Sequence, residues 1–338
     1  MLKKNKVAIF LFIILSSVSI YFLNNRKLNT YNEAKTNFAT AEIEKVQMIY
    51  LADKNKNFVK LSHRGDNEWM VNDQYLARKD AMKTILITLQ NLRIKSSINS
   101  KTFNSVVGTI AAQGIKCELY FDSTSKEPTK VIYIGSPTPD NLGTYMMLAN
   151  SNSPYIMELP GFNGYLSGRF STRAEDWRDP SIFRCKLQNI SSVSIDYPFN
   201  QEQSFKIDVG NGQYKIQNAT GIVQNLDSNQ AQNYLSYYGY LTYEGRDNTL
   251  SSKEQDSLSK ATPLIIINLI QKNGSSITVP FYKRKVGKAS LAQFDEAGKP
   301  LIYDVDRLFA LINNKQELVS VQQYQWGKIF RKFQDFNL

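Results

Sequence analysis

The sequence predicts an α+β protein: a single N-terminal transmembrane helix followed by two similar units, each an antiparallel sheet packed by helices. Three observations lead there. Residues 7–23 read VAIFLFIILSSVSIYFL, with no charge, no Pro and no Gly. The stretches beginning at Ile43 and Ile190 look like copies of one strand–turn–strand pattern. Each copy then passes into an apolar stripe at helical spacing. The chain is thereby divided into a membrane anchor and stalk over 1–40, a first α+β repeat over 41–185, a second over 186–322, and an amphipathic C-terminal helix over 323–338.

The anchor comes first. At about 1.5 Å per residue a helix over 7–23 spans roughly 26 Å, near the thin end of bilayer hydrocarbon. Lys3, Lys4 and Lys6 precede it, and Arg26 and Lys27 follow. The bias of positive charge sets the N-terminus in the cytoplasm and the body in the periplasm, as an inner-membrane protein with a single span. A cleaved signal peptide is the rival reading. Its apolar region is shorter and ends at a small-x-small site, which Ser-Ile-Tyr-Phe-Leu-Asn-Asn does not offer. The polar link over 24–40 extends the helix or acts as a stalk.

The two copies follow. Ile43, Val46, Tyr50 and Phe58 match Ile190, Val193, Tyr197 and Phe205 at one constant offset, and a two-residue shift sets Trp69 opposite Tyr214. The turns Arg64-Gly65-Asp66-Asn67 and Gly210-Asn211-Gly212 suit hairpin positions with positive φ. In the first copy Ala81, Ile85, Leu86, Leu89 and Leu92 form a helical stripe begun near Asp80. In the second, Asp227 or Ser228 starts a helix carrying Ala231, Tyr234, Leu235 and Tyr238. Further strands are expected over 115–121, 130–135, 144–149 and 155–159, and over 264–270, 276–282, 288–294 and 301–304. Short helices near 162–169 and 306–313 close the units. The junction between them runs from Arg173 to Ile190.

Composition narrows the function classes. The net charge is +11 over 338 residues. The first 27 residues hold five positives and no acid, which leaves +6 on the rest. Lys and Arg are scattered, so there is no nucleic-acid signature. A solvated surface accounts for this charge, with weak attraction to anionic head groups or glycans as the other reading. His63 is the one histidine, which rules out a metal site built on several histidines. It enters a hairpin turn, where an exposed histidine is the plain reading and a Ser-His-Asp device the sharp one. Cys117 and Cys185 are too far apart for zinc spacing, and a disulfide or two separate buried thiols both stay open. Ser123-Thr124-Ser125-Lys126 fits Ser-x-x-Lys but bridges two strands as a loop. Gly287-Lys288 fails the phosphate-loop pattern. Neither a cofactor nor a metal is expected.

Several motifs then point to a family. Residues 65–71 read GDNEWMV and lead to a helix ending LQNLRI; YIGSPTPD over 133–140 and TYMML follow. The junction segment EDWRD over 175–179 leads through Ile182-Phe183 to Ile195-Asp196-Tyr197-Pro198 and Ser204-Phe205. The chain resembles the domain-of-unknown-function family 4340, in particular membrane-anchored members from the Bacteroidetes, over roughly 40–330. The resemblance implies an envelope protein with a transporter or envelope complex as partner, and it brings no catalytic residue. Asp122-Ser123-Thr124 and Asp256-Ser257-Leu258 are similar to the O-glycosylation signal of that phylum, which makes Ser123 and Ser257, both expected in loops, candidates for modification.

Three surfaces remain. The acidic junction residues Asp176 and Asp179, with Trp177 and Arg178, are expected to hold the two units in register through local ion pairs. Trp326, Ile329, Phe330, Phe333 and Phe336 fall mostly on one helical face opposite Lys328, Arg331 and Lys332, a pattern that docks on its own body, on a protein partner or on a membrane. The Tyr-rich run over 234–240 is either a contact surface or half-buried core. The reading that results is a non-enzymatic, membrane-anchored binding or scaffolding subunit of an envelope complex. An envelope glycan-binding protein or hydrolase, using a carboxylate pair between the two units, is the alternative.

Overall fold

The computed structural model describes residues 12, 14–17, 19, 36–210, 212–288 and 290–336. The chain divides into two units, the first ending at Asp179 and the second beginning at Pro180.

The first unit is built on β1 (Met48–Ala52), β2 (Phe58–Gly65), β3 (Glu68–Val71), β4 (Tyr75–Leu76), α1 (Lys79–Asn91), β5 (Arg93–Ser97), α2 (Ser100–Gln113), β6 (Ile115–Tyr120), β7 (Lys130–Pro137), β8 (Thr144–Leu148) and β9 (Tyr155–Glu158). Its nine strands form one antiparallel sheet in the order β4-β3-β2-β1-β6-β7-β8-β9-β5. Period-two alternation turns Ile49, Leu51, Val59, Leu61, Trp69 and Val71 to one buried face. Met82, Ile85 and Leu89 of α1 close that face. Asp66 and Asn67 connect β2 to β3 with φ of 49° and 58°, the two left-handed positions of a tight hairpin.

The second unit contains β10 (Ser181–Phe183), β11 (Ile190–Asp196), β12 (Phe205–Gly210), β13 (Gln213–Asn218), β14 (Val223–Leu226), α3 (Ser228–Ser236), β15 (Leu241–Thr242), β16 (Gly245–Arg246), α4 (Ser252–Lys260), β17 (Ile265–Gln271), β18 (Ser276–Lys285), β19 (Tyr303–Ile312), β20 (Glu317–Gln322) and α5 (Gln323–Trp326). Nine of the strands make an antiparallel sheet ordered β14-β13-β12-β11-β17-β18-β19-β20-β16, and β10 pairs with β15. Position by position this is the order of the first sheet, so the duplication is one of topology as well as of sequence.

Strand register corrects the alignment of the copies. Ile49 faces Leu61 and Leu119 just as Val193 faces Ile207 and Leu269. The offset read from the sequence is therefore three residues too long in the first strand and one too long in the second. An odd slip moves a side chain to the opposite face. Phe58 is accordingly 52% exposed while Phe205, its supposed match, is 3% exposed.

The fold class is corrected too. The body is mostly β-sheet, two large antiparallel sheets carrying short helices, rather than α+β. No helix among the described residues is long and apolar enough to cross a membrane. The expected N-terminal transmembrane helix over 7–23 falls mostly outside the described residues. The helix expected over 306–313 is part of β19. Leu308, Ala310 and Ile312 of this strand face the main core, while Phe309 and Leu311 face a smaller cluster on the other side of the sheet. A strand buried on both faces gives an unbroken apolar run, which periodicity does not separate from a helix. Over 162–169 only Ser167–Arg169 is helical, as a single 3-10 turn, and the described residues of 288–294 belong to no strand, Phe294 making only an isolated bridge to Pro300.

The C-terminal amphipathic helix over 323–338 is likewise corrected. α5 covers four residues, and a single 3-10 turn follows at Phe333–Asp335. This segment belongs to the second unit's core. Trp326, Ile329 and Phe336 are buried, and Phe330 and Phe333 pack against the same cluster half-buried. The Trp326 indole N–H donates to the Thr242 carbonyl at 3.0 Å, and its ring lies 5.0 Å from that of Phe281. Tyr234 and Tyr197 donate their hydroxyls to the carbonyls of Ile329 and Arg331, at 2.9 and 2.8 Å. Buried phenols need such partners, and here the chain end supplies them. The aromatic side chains that looked like a docking face therefore line the inside of their own domain.

Candidate functional site

The densest buried polar cluster in the second unit forms where β18 and β19 lose register. Lys283 faces Leu308, but Lys285 faces Tyr303, so residues 304–307 bulge opposite Arg284. Asp304 pins the bulge. One of its carboxylate oxygens accepts the amides of Asp306 and Arg307 at 2.9 and 3.2 Å. The other accepts from Arg284 Nη1 at 3.0 Å and from the Ser290 hydroxyl at 2.6 Å. Arg284 Nε reaches Asp247 at 3.2 Å, and Asp247 also accepts from the Thr249 amide at 2.9 Å. The side chains of Arg284, Asp247 and Asp304 are 12%, 4% and 0% exposed. Burial pushes the Asp304 carboxyl up, but the Ser290 hydroxyl, the Asp306 amide and the Arg284 guanidinium outweigh it and hold the group below its ordinary value. Asp304 is thus held as an anion, and both acids share one guanidinium.

Beside this clasp lies a groove of about 520 Å³, between α4 and the ends of β18 and β19. Leu250, Leu258, Ala261, Val286 and Phe309 give it apolar walls, and Lys283, Arg284 and Lys285 supply cations. Lys283 Nζ sits 4.9 Å from the centre of the Tyr303 ring, a cation–π distance. Glu254 lines the groove as well, but its carboxylate closes the capping box of α4, accepting from the Ser251 amide and hydroxyl at 2.8 and 2.6 Å. None of the groove's cations, nor the bulge, was singled out in the sequence. The legible signals were Ser251-x-x-Glu254, a helix start, and the Lys283-Arg284-Lys285 run closing a β-rich segment.

Apart from Ser257, the residues that were singled out lie elsewhere. Asp176, Trp177, Arg178 and Asp179 each have partners inside the first unit. The Trp177 indole N–H donates to the Ser171 carbonyl at 2.9 Å and its ring joins the first core. Asp176 accepts from the Ser171 hydroxyl, Arg178 stacks on the Tyr75 ring at 3.4 Å, and the Asp179 amide donates to the Leu76 carbonyl at 2.8 Å. Cys117 and Cys185 are free, buried thiols, the former pushed strongly up by burial. His63 is half-buried in β2, its ring 5.2 Å from that of Trp69. It lines a polar groove of about 590 Å³ with Ser123, Lys60 and Asp73. Lys60 pairs with Asp73 at 2.7 Å and, with the Ser62 hydroxyl, holds that carboxyl below its ordinary value. Ser123 is exposed in a turn. Ser257, expected in a loop, lies on α4 and lines the groove beside the clasp. Tyr234 and Tyr238 are buried, whereas Tyr237 and Tyr240 reach the surface.

No group of three or more His, Cys, Asp or Glu side chains placed to hold a metal occurs among the described residues. Residues 107–253 match the family model described as a domain of unknown function, DUF4340, which supports the family resemblance over that segment. No curated protein and no solved structure matches this chain.

Proposed function

From a family that brings no activity with it, we propose a non-enzymatic binding or scaffolding subunit of an envelope complex, with the α4 groove as its recognition site. The clasp carries this reading. A general acid needs a carboxyl raised toward neutral pH, whereas Asp304 is held low and shares Arg284 with Asp247. What the groove presents is recognition chemistry: apolar walls, an aromatic ring and lysines. Periplasmic placement is part of the proposal, and protease added to intact spheroplasts tests it by cleaving the body. Affinity purification from native cells, followed by mass spectrometry, tests the subunit reading. A stoichiometric partner retained by the wild type supports it, and recovery of the chain alone overturns it.

A further inference from the structure

The two copies differ at one place in a way that defines a ligand class. In the first unit Ile134 faces Ile115, and in the second Phe281 faces Ile265 at the same rung. The next residues, Gly135 and Tyr282, are therefore equivalent. α2 sits directly on Gly135, where a Cβ would come within 2.8 Å of Ile110 Cγ1 and 2.9 Å of the Tyr145 carbonyl oxygen. It buries Val106 and Ile110. Tyr282 fills the matching place in the second unit, and α4 buries none of its residues. The groove lies beside this place, between α4 and the ends of β18 and β19. Among the described residues the buried Tyr282 hydroxyl, in the cluster beneath α4, has no hydrogen-bond partner. A buried donor in that state calls for a polar partner.

Resting on the reading of this groove as a recognition site, we infer that it binds a long-chain carboxylate, with the chain along Leu250, Leu258 and Phe309 and the head group at Lys283 and Lys285. Charge argues for the anion. With Arg284 spent on Asp247 and Asp304, two lysines, Lys283 and Lys285, line the groove against one carboxylate, and Glu254 is already engaged by Ser251. The volume falls inside the range of about 300–1,000 Å³ usual for small-ligand sites.

Fluorescence titration of the full chain with dansyl-undecanoic acid tests this. Lys283→Glu/Lys285→Glu removes the head-group cations, and Ser257→Trp fills the groove from an exposed position on α4. Both variants keep every other apolar segment of the chain, and a thermal melt matching wild type checks their fold. Each is expected to weaken probe binding at least about tenfold, as is methylation of the probe's carboxyl, from the usual size of a charge-assisted contact. Wild-type affinity in either variant, or an ester bound as tightly as the acid, overturns the inference. If the native-cell partner persists while the probe fails to bind, the ligand class falls and the subunit reading stands.

Discussion

Asp304 shows how much of the second unit depends on single groups. Its four accepted hydrogen bonds hold the backbone bulge, a loop residue and the buried guanidinium together. Removing the cation leaves two buried carboxylates without compensation. Arg284→Ala is therefore expected to cost about 3–5 kcal/mol, read from urea denaturation at neutral pH; a loss under about 1 kcal/mol would mean that the clasp behaves as a surface pair. The pH dependence has a definite sign. A carboxyl held low in the folded chain adds stability that is fully present above its unfolded value, about 3.9, and that is lost as pH falls through the folded value. Wild type should lose stability on acidification below about pH 4, and Asp304→Asn, lacking this group, should lose less over the same window. Parallel acid slopes for the two would remove Asp304 from the account.

At the level of elements, the sequence made the period-two strands and α1 legible because one face of each is buried and the other is not. Helix α3 was legible through its cap, Asp227, which accepts the Gln230 amide at 2.9 Å. α2 and α4 were overlooked for different reasons. α4 buries no residue, so its capping box stood without an apolar stripe to confirm it. α2 buries only Val106 and Ile110, and its other apolar positions are interrupted by Thr, Ser and Gly. The closing segment failed in the opposite sense: its aromatics are spaced for a helix, but backbone carbonyls of Ile329 and Arg331 are spent on the tyrosines of the core. The groove was hidden because its cations gain meaning only once the bulge places them beside α4. The closing segment is open to test as an element. Trp326→Ala should cost about 3–5 kcal/mol, and deletion of 323–338 should abolish the cooperative melt of the second unit by uncovering Phe183, Phe205 and Phe281. A deletion variant that melts like wild type would return these aromatics to the surface.

For the whole molecule, the repeated strand order explains an otherwise odd frame in the family match. That match begins at 107, inside α2, and ends at 253, inside α4, its topological counterpart. It spans 147 residues, one full period of the duplication, cut at a helix rather than at the division after Asp179. A repeat in which each sheet completes its own nine strands needs no pairing from the other copy, and each sheet has its own core beneath its own helix. Independent folding follows from that closure, since a domain is a segment that buries its apolar face within itself. Residues 180–338 produced alone should therefore give a single cooperative urea transition, with a slope in keeping with a domain of that size. The reverse cut, through α2 and α4 at the bounds of the family match, severs β6 from β1 and β17 from β11, both central pairs of their sheets. That fragment should show no cooperative transition, and if it folds while 180–338 does not, the folding unit is the family's frame and the boundary at Asp179 is not a folding boundary.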